Sequence, residues 1–176
     1  MTAVLLATLL VLAAIVLLVE FRHREDGPDG EPEPLLDTPA SRISQITVYA
    51  EDGKTYRYKR DEISTWYMIE PFESEVEQLL VENVARYLAE LSPYRQFTSE
   101  EISLEEFGLL DPSTIITFVT LAGKEYTLQI GATNARLRAS YILWQEEVYL
   151  VSWDLVYDIV RITTMPPLPE GTPLPD

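Results

Sequence analysis

Residues Thr114–Ile130, TIITFVTLAGKEYTLQI, decide the fold. Thr114 to Leu121 is β-branched and apolar enough to form a central strand, because such side chains fit a pleated surface better than a helical one. Ala122-Gly123 then breaks the run. Tyr126, Leu128 and Ile130 return in alternation, the pattern of a second strand folded back as a hairpin, and Ile130-Gly131 closes it. An antiparallel sheet is therefore expected at the centre of the chain.

Upstream the same logic repeats. Ile46, Val48 and Ala50 alternate with other residues and lead to Asp52-Gly53, a dipeptide suited to a tight turn, and Thr55 to Lys59 returns with Tyr56 and Tyr58 on one face. Trp66, Met68 and Ile69 predict a third strand, stopped by Pro71. Between Ser74 and Leu91 the period changes: Val76, Leu79, Leu80, Val84, Tyr87, Leu88 and Leu91 recur at three- and four-residue spacing, which predicts an amphipathic helix. Ser74 is its expected N-cap, Glu75 and Glu77 favour its positive end, and Glu82, Arg86 and Glu90 belong to a solvated face. Pro93 ends it. Tyr94 to Phe97 is a short strand and Leu104 to Leu110 a helical turn before Asp111-Pro112.

Downstream of the central hairpin, Ala132 to Ala139 is expected as a loop bearing Asn134, Arg136 and Arg138. Tyr141 to Trp144 and Val148 to Val151 form a third hairpin across Gln145, Glu146 and Glu147. Ser152 caps a short closing helix with Leu155, Val156, Ile159 and Val160 inward. Strands before one helix and hairpins after it predict an α+β domain: one mainly antiparallel sheet with an amphipathic helix packed on it. Each half contains a hairpin, an aromatic-rich strand and a helix, so an internal duplication is visible in pattern though not in residues.

The ends differ in kind from this domain, which spans 42–164. Met1 to Val19 carries no charged side chain, and a helix of this length just reaches across a hydrocarbon core of about 30 Å. A transmembrane anchor over 1–19 is expected. The competing reading is a cleaved signal peptide, but a basic leading region and a small-x-small site before Glu20 are both missing. Residues 20–41 read as an acidic linker in which Pro28, Pro32, Pro34 and Pro39 deny helix, and 165–176 as a Pro-rich extended tail. Arg22 and Arg24 follow the anchor, which by the basic-residue rule places the domain on the cytoplasmic side.

Charge and composition narrow the chemistry. Among 176 residues, Lys and Arg number 13 against 29 Asp and Glu, a formal net charge of −16, so no electrostatic footprint for nucleic acid exists. Without cysteine the chain has no disulfide, thiol nucleophile or thiolate zinc site. Its one histidine, His23, lies between Arg22 and Arg24 as an interfacial flank. No phosphate loop, dinucleotide glycine pattern or nucleophile elbow is present. The acidic groups Glu73, Glu75, Glu77 and Glu100, Glu101, Glu105, Glu106 flank helix ends, where solvent keeps carboxylates ordinary, and they lack the spacing of a calcium loop. No catalytic, cofactor-binding or metal-binding residue is expected.

One resemblance is specific enough to state. Trp66 with Pro71 and a following amphipathic helix, Phe107-Gly108-Leu109 with Pro112 after it, Ile130-Gly131, and Tyr141 ahead of Val148-Tyr149-Leu150-Val151 together resemble the DUF4340 family, over Ile43 to Val160. The resemblance implies an N-terminal membrane helix, a domain outside the cytoplasm and, for some members, association with ABC-type transport systems, including ones tied to gliding motility. It implies no enzymatic activity. The chain departs from the family pattern in being short, where many relatives carry more than one unit, and in lacking a basic N-terminal flank. The side of the membrane is thus read two ways, extracytoplasmic by resemblance and cytoplasmic by Arg22 and Arg24.

Aromatics supply the remaining lead. Tyr141, Trp144, Tyr149, Trp153 and Tyr157 crowd the last third beside Arg136 and Arg138, and arginine with aromatics is the composition enriched at protein interfaces. Strand alternation sends some of these rings away from the core unless something covers them. Arg136, Arg138, Trp144, Tyr149 and Trp153 are the expected partner-binding residues. The expected function is a non-enzymatic, single-pass membrane-anchored accessory or scaffold subunit of a larger membrane complex, its partners being integral membrane subunits and, through 1–19, the bilayer. The alternative is a membrane-tethered binding module for a small molecule or peptide.

Overall fold

A computed structural model describes residues 33–98 and 103–169. The expected membrane helix at 1–19, most of the linker and the end of the tail lie outside these residues. Among the described residues no helix is long and apolar enough to cross a membrane.

Strands β1 (Ile43–Tyr49), β2 (Thr55–Arg60), β3 (Trp66–Glu70) and β4 (Ser74–Glu75) lead to helix α1 (Gln78–Ala89). Then come β5 (Pro93–Phe97), β6 (Thr114–Thr120), β7 (Glu125–Asn134), β8 (Ala139–Trp144), β9 (Glu147–Ser152) and helix α2 (Trp153–Thr164). The strands form one sheet in the order β4-β3-β2-β1-β6-β7-β8-β9-β5, with every neighbouring pair antiparallel. The domain is α+β, with one large antiparallel sheet and two helices.

Period-two alternation assigns the two faces. Ile46, Val48, Tyr58, Met68, Ile116, Phe118, Leu128 and Ile142 are buried on the side that carries the helices. Trp66 joins them, its ring covered by the Arg60 guanidinium at 4.5 Å. Arg60 is itself buried, and its charge is met by the Glu82 carboxylate of α1 and by the Ser41 carbonyl at 3.0 Å. Glu82 also accepts from Trp66 Nε1 at 2.9 Å, so one carboxylate fastens α1 to two strands. A buried cation persists only with such partners.

Three local expectations need correction. The first helix starts at Gln78, not Ser74, because Ser74 and Glu75 pair with Met68 and Tyr67 and prolong the sheet. Leu79 and Leu80 consequently face outward, and α1 buries Val81, Val84, Ala85 and Leu88. The expected loop from Ala132 is partly strand: β7 runs through Gly131 to Asn134, with an irregularity in its pairing to β8 between Ile130 and Thr133. The linker also yields to the domain earlier than residue 42. Leu36 is buried in the core, and the Leu35 N–H donates to the Leu91 carbonyl at 2.8 Å.

The halves of the sheet mirror one another about the β1–β6 pair. β1 to β4 and β6 to β9 each run outward from the centre as a meander followed by a helix of 12 residues, and β5 adds one further strand outside β9. The two central turns match in detail. Ala50 N–H donates to Lys54 O and Gly53 N–H to Ala50 O; Thr120 N–H donates to Lys124 O and Gly123 N–H to Thr120 O. Gly53 and Gly123 have φ of +78° and +77°, a conformation that costs glycine little. The helices agree in phase: Val81, Val84 and Arg86 of α1 hold the places of Val156, Ile159 and Arg161 of α2. The duplication seen as pattern in the sequence is thus present as topology, register and hydrogen bonding.

Candidate functional site

Apolar, aromatic and cationic side chains come together where the β7–β8 connection meets the start of α2. Asn134 shapes this connection, its Oδ1 and its carbonyl each accepting from the Leu137 N–H at 3.2 Å. Arg138 follows with φ of 48°, and its carbonyl accepts from Trp153 N–H at 3.0 Å, which ties the turn to the helix. Its guanidinium donates to Asp154 Oδ1 at 2.7 Å and lies 5.9 Å from the Trp153 ring centroid. Trp153 in turn meets Tyr157 one helical turn on, with ring centroids 5.2 Å apart. Leu137, the residue before Arg138, is 56% exposed, and Tyr157 is 51% exposed. A cleft of about 290 Å³ opens among Thr133, Ala135, Arg138 and Trp153.

Of the five residues expected at a partner surface, Arg136, Arg138 and Trp153 fall in or beside this patch. Trp144 and Tyr149 do not. Trp144 is buried in a stack with Phe118 and Tyr126, at centroid distances of 5.7 and 5.4 Å, because it shares the helix-facing side of the sheet with Leu128. Tyr149 is buried as well, and its hydroxyl donates to Glu147 at 2.6 Å. Burial, then the hydrogen bond to Glu147 and its charge, push this phenol up to about 12. Tyr141, on the opposite face, is covered by a stack with Phe107 at 4.1 Å and by Phe97 at 5.8 Å. The turn carrying Phe107 is thus the cover that strand alternation called for.

Leu137 and Asp154 are the residues of the patch that the sequence did not single out. Leu137 is one aliphatic side chain within the expected loop, and only the path of the turn shows that it is exposed, next in sequence to the Arg138 that holds Trp153. Among the described residues no three His, Asp or Glu side chains are grouped to hold a metal ion.

No curated protein and no solved structure matches the chain. The sequence pattern described as Domain of unknown function (DUF4340) matches residues 66–158, from β3 into α2. That segment includes Trp66, the Phe107-Gly108-Leu109 turn and the whole of the Arg138–Trp153 patch, and by it the chain belongs to the DUF4340 family.

Proposed function

We propose that this protein is a non-enzymatic accessory or scaffold subunit of a larger membrane assembly, anchored through residues 1–19. Its folded domain docks on a partner subunit through Leu137, Arg138, Trp153 and Tyr157. The observation that carries the reading is this patch itself: two aromatic rings and a leucine at the surface, with an arginine held over one ring. Such groups supply contact area at low entropic cost, and a rim arginine adds orientation. An ABC-type transport system is the assembly that the family resemblance favours, and the apolar stretch at 1–19 supports the anchor.

The test is purification of the tagged full-length chain from native membranes in mild detergent, followed by mass spectrometry of what stays bound through size exclusion. Companions at fixed ratio are expected from the parent and are expected to be lost from a Trp153→Ala, Tyr157→Ala double variant. Retention of the same companions by a folded double variant would move the docking surface elsewhere. Recovery of a lone monomer from several detergents would replace the subunit reading with that of a ligand-binding module.

A further inference from the structure

The two halves keep step through their helices and beyond them. Gln78–Ala89 and Trp153–Thr164 are equal in length, and each helix ends on the same bond, Glu90 N–H donating to Arg86 O and Met165 N–H to Arg161 O, both at 2.9 Å. After α1 the chain crosses to the other half and lays β5 along the outer edge of β9, with Pro93 opposite Val151. Residue for residue, the counterparts of Pro93 and Val151 are Leu168 and Val76. Val76, directly after β4, is buried, and Leu168 packs against the same core. One step away the Glu77 N–H donates to the Pro167 carbonyl at 2.7 Å. The chain leaving α2 thus reaches the outer edge of the first half at the place that the β5–β9 register marks out.

That edge is β4, the end strand of the sheet, whose Ser74 and Glu75 pair with β3 on the inner side. Carried onto it, the β5–β9 register sets Glu170 opposite Glu75, Gly171 opposite Ser74 and Thr172 opposite Glu73, as Arg95, Gln96 and Phe97 stand opposite Leu150, Tyr149 and Val148. The prolines of the tail suit this register. Pro169 corresponds to Tyr94, the residue that the β5 ladder passes over at its irregularity, and Pro173 to Thr98, just beyond the strand. Between them lie three residues that all have an N–H to give, which proline lacks. One feature opposes the pairing: Glu170 beside Glu75 sets like charges across the strands.

We infer that residues 168–172 add a tenth strand to the nine-stranded sheet at the edge of β4, the chain's own tail filling a place that a strand of another protein could take. An end strand offers its backbone groups to any extended segment. Here the segment is supplied by the same chain and is tethered beside its seat by the Glu77–Pro167 bond, which gives it a high effective concentration there. This edge shares no residue with the Arg138–Trp153 patch, so the two readings stand or fall separately.

Because the chain has no cysteine, a disulfide can report the register. Residues directly opposite in an antiparallel pair have Cα atoms about 4.5–5.5 Å apart, within disulfide reach. In the full-length chain in detergent, a Ser74→Cys, Gly171→Cys variant is expected to form an intrachain disulfide on mild oxidation. It should do so at least about tenfold faster than Ser74→Cys, Thr172→Cys, whose side chains point to opposite faces. In the parent, the amides of Glu170 and Thr172 are expected to exchange with deuterium at least about tenfold more slowly than in a free peptide of the same sequence, and Glu170→Lys to slow them further. Equal rates for the two cysteine pairs, a disulfide that joins two chains, or Glu170 and Thr172 amides that exchange as in the free peptide would each overturn the inference. The second result hands the edge to a second copy; slow exchange at Ser74 and Glu75 beside a fast-exchanging tail hands it to a strand of a companion protein. Should the cysteine variants fail to fold, exchange in the parent decides alone.

Discussion

Gly131 shows how one position can govern a face of the sheet. The sequence marks Gly131 only as the end of a strand, yet the strand continues through it and the turn carrying Phe107 and Leu109 presses on it. A methyl group there collides with backbone as well as side chain, so Gly131→Ala is expected to destabilise the domain by about 1–3 kcal/mol, the usual cost of overpacking. Chemical denaturation of both proteins checks it. Tyr149 was legible as an aromatic but not as an interior one. Its phenol is raised from 10.0 to about 12, so the folded state holds that proton more tightly than the unfolded state does. The stability this confers is complete below pH 10.0 and is lost as pH rises towards about 12. Tyr58, buried with its hydroxyl donating to Ile162 O at 3.1 Å, is raised for the same main reason and acts in the same direction. Tyr149→Phe is expected to flatten part of the alkaline decline in a stability-versus-pH series, with the Tyr58 share remaining.

Periodicity read most elements correctly because the core is one-sided: strands packed on one face alternate, and helices packed on that face repeat every three to four residues. It failed where a neighbour overrode it. Ser74 and Glu75 satisfy an N-terminal helix pattern, but β3 offers them unpaired backbone groups, and pairing there moves the helix start to Gln78. The sequence pattern gives the β8–β9 turn three residues, whereas Glu147 pairs with Trp144 and only Gln145 and Glu146 turn, with φ of 49° and 71°. Neither residue type favours that left-handed region, whereas Asn-Gly does. The replacement Gln145→Asn, Glu146→Gly is expected to stabilise the domain by on the order of 1 kcal/mol, seen as a raised thermal midpoint. A lower midpoint would show that the acidic side chains do more for this turn than its backbone preference costs.

At the scale of the whole molecule, the antiparallel α+β architecture follows from the hairpins, and the mirrored order of the sheet does not. Hairpins fix neighbours along the chain; the β1–β6 and β5–β9 pairs join residues far apart in sequence, and no local signal specifies them. The Arg138–Trp153 patch shares this property, since these two residues meet only because β8 and β9 return the chain to the same edge. Leu36 is a further long-range case. It looked like part of a solvated linker, yet it is 3% exposed in the common core. Leu36→Ala is expected to cost about 2–3 kcal/mol by the cavity it leaves, measured by denaturant unfolding. A loss below 0.5 kcal/mol, roughly the range of surface changes, would place it outside the cooperative unit.

The seating of Leu35 and Leu36 also sets a mechanical length. Were residues 34–41 slack, they would add up to about 28 Å of reach at roughly 3.5 Å per extended residue. Held as they are by the Leu35 hydrogen bond and the burial of Leu36, these residues belong to the folded domain and that reach is withdrawn. A pull arriving along the chain first loads the Leu35–Leu91 hydrogen bond and the buried Leu36 side chain.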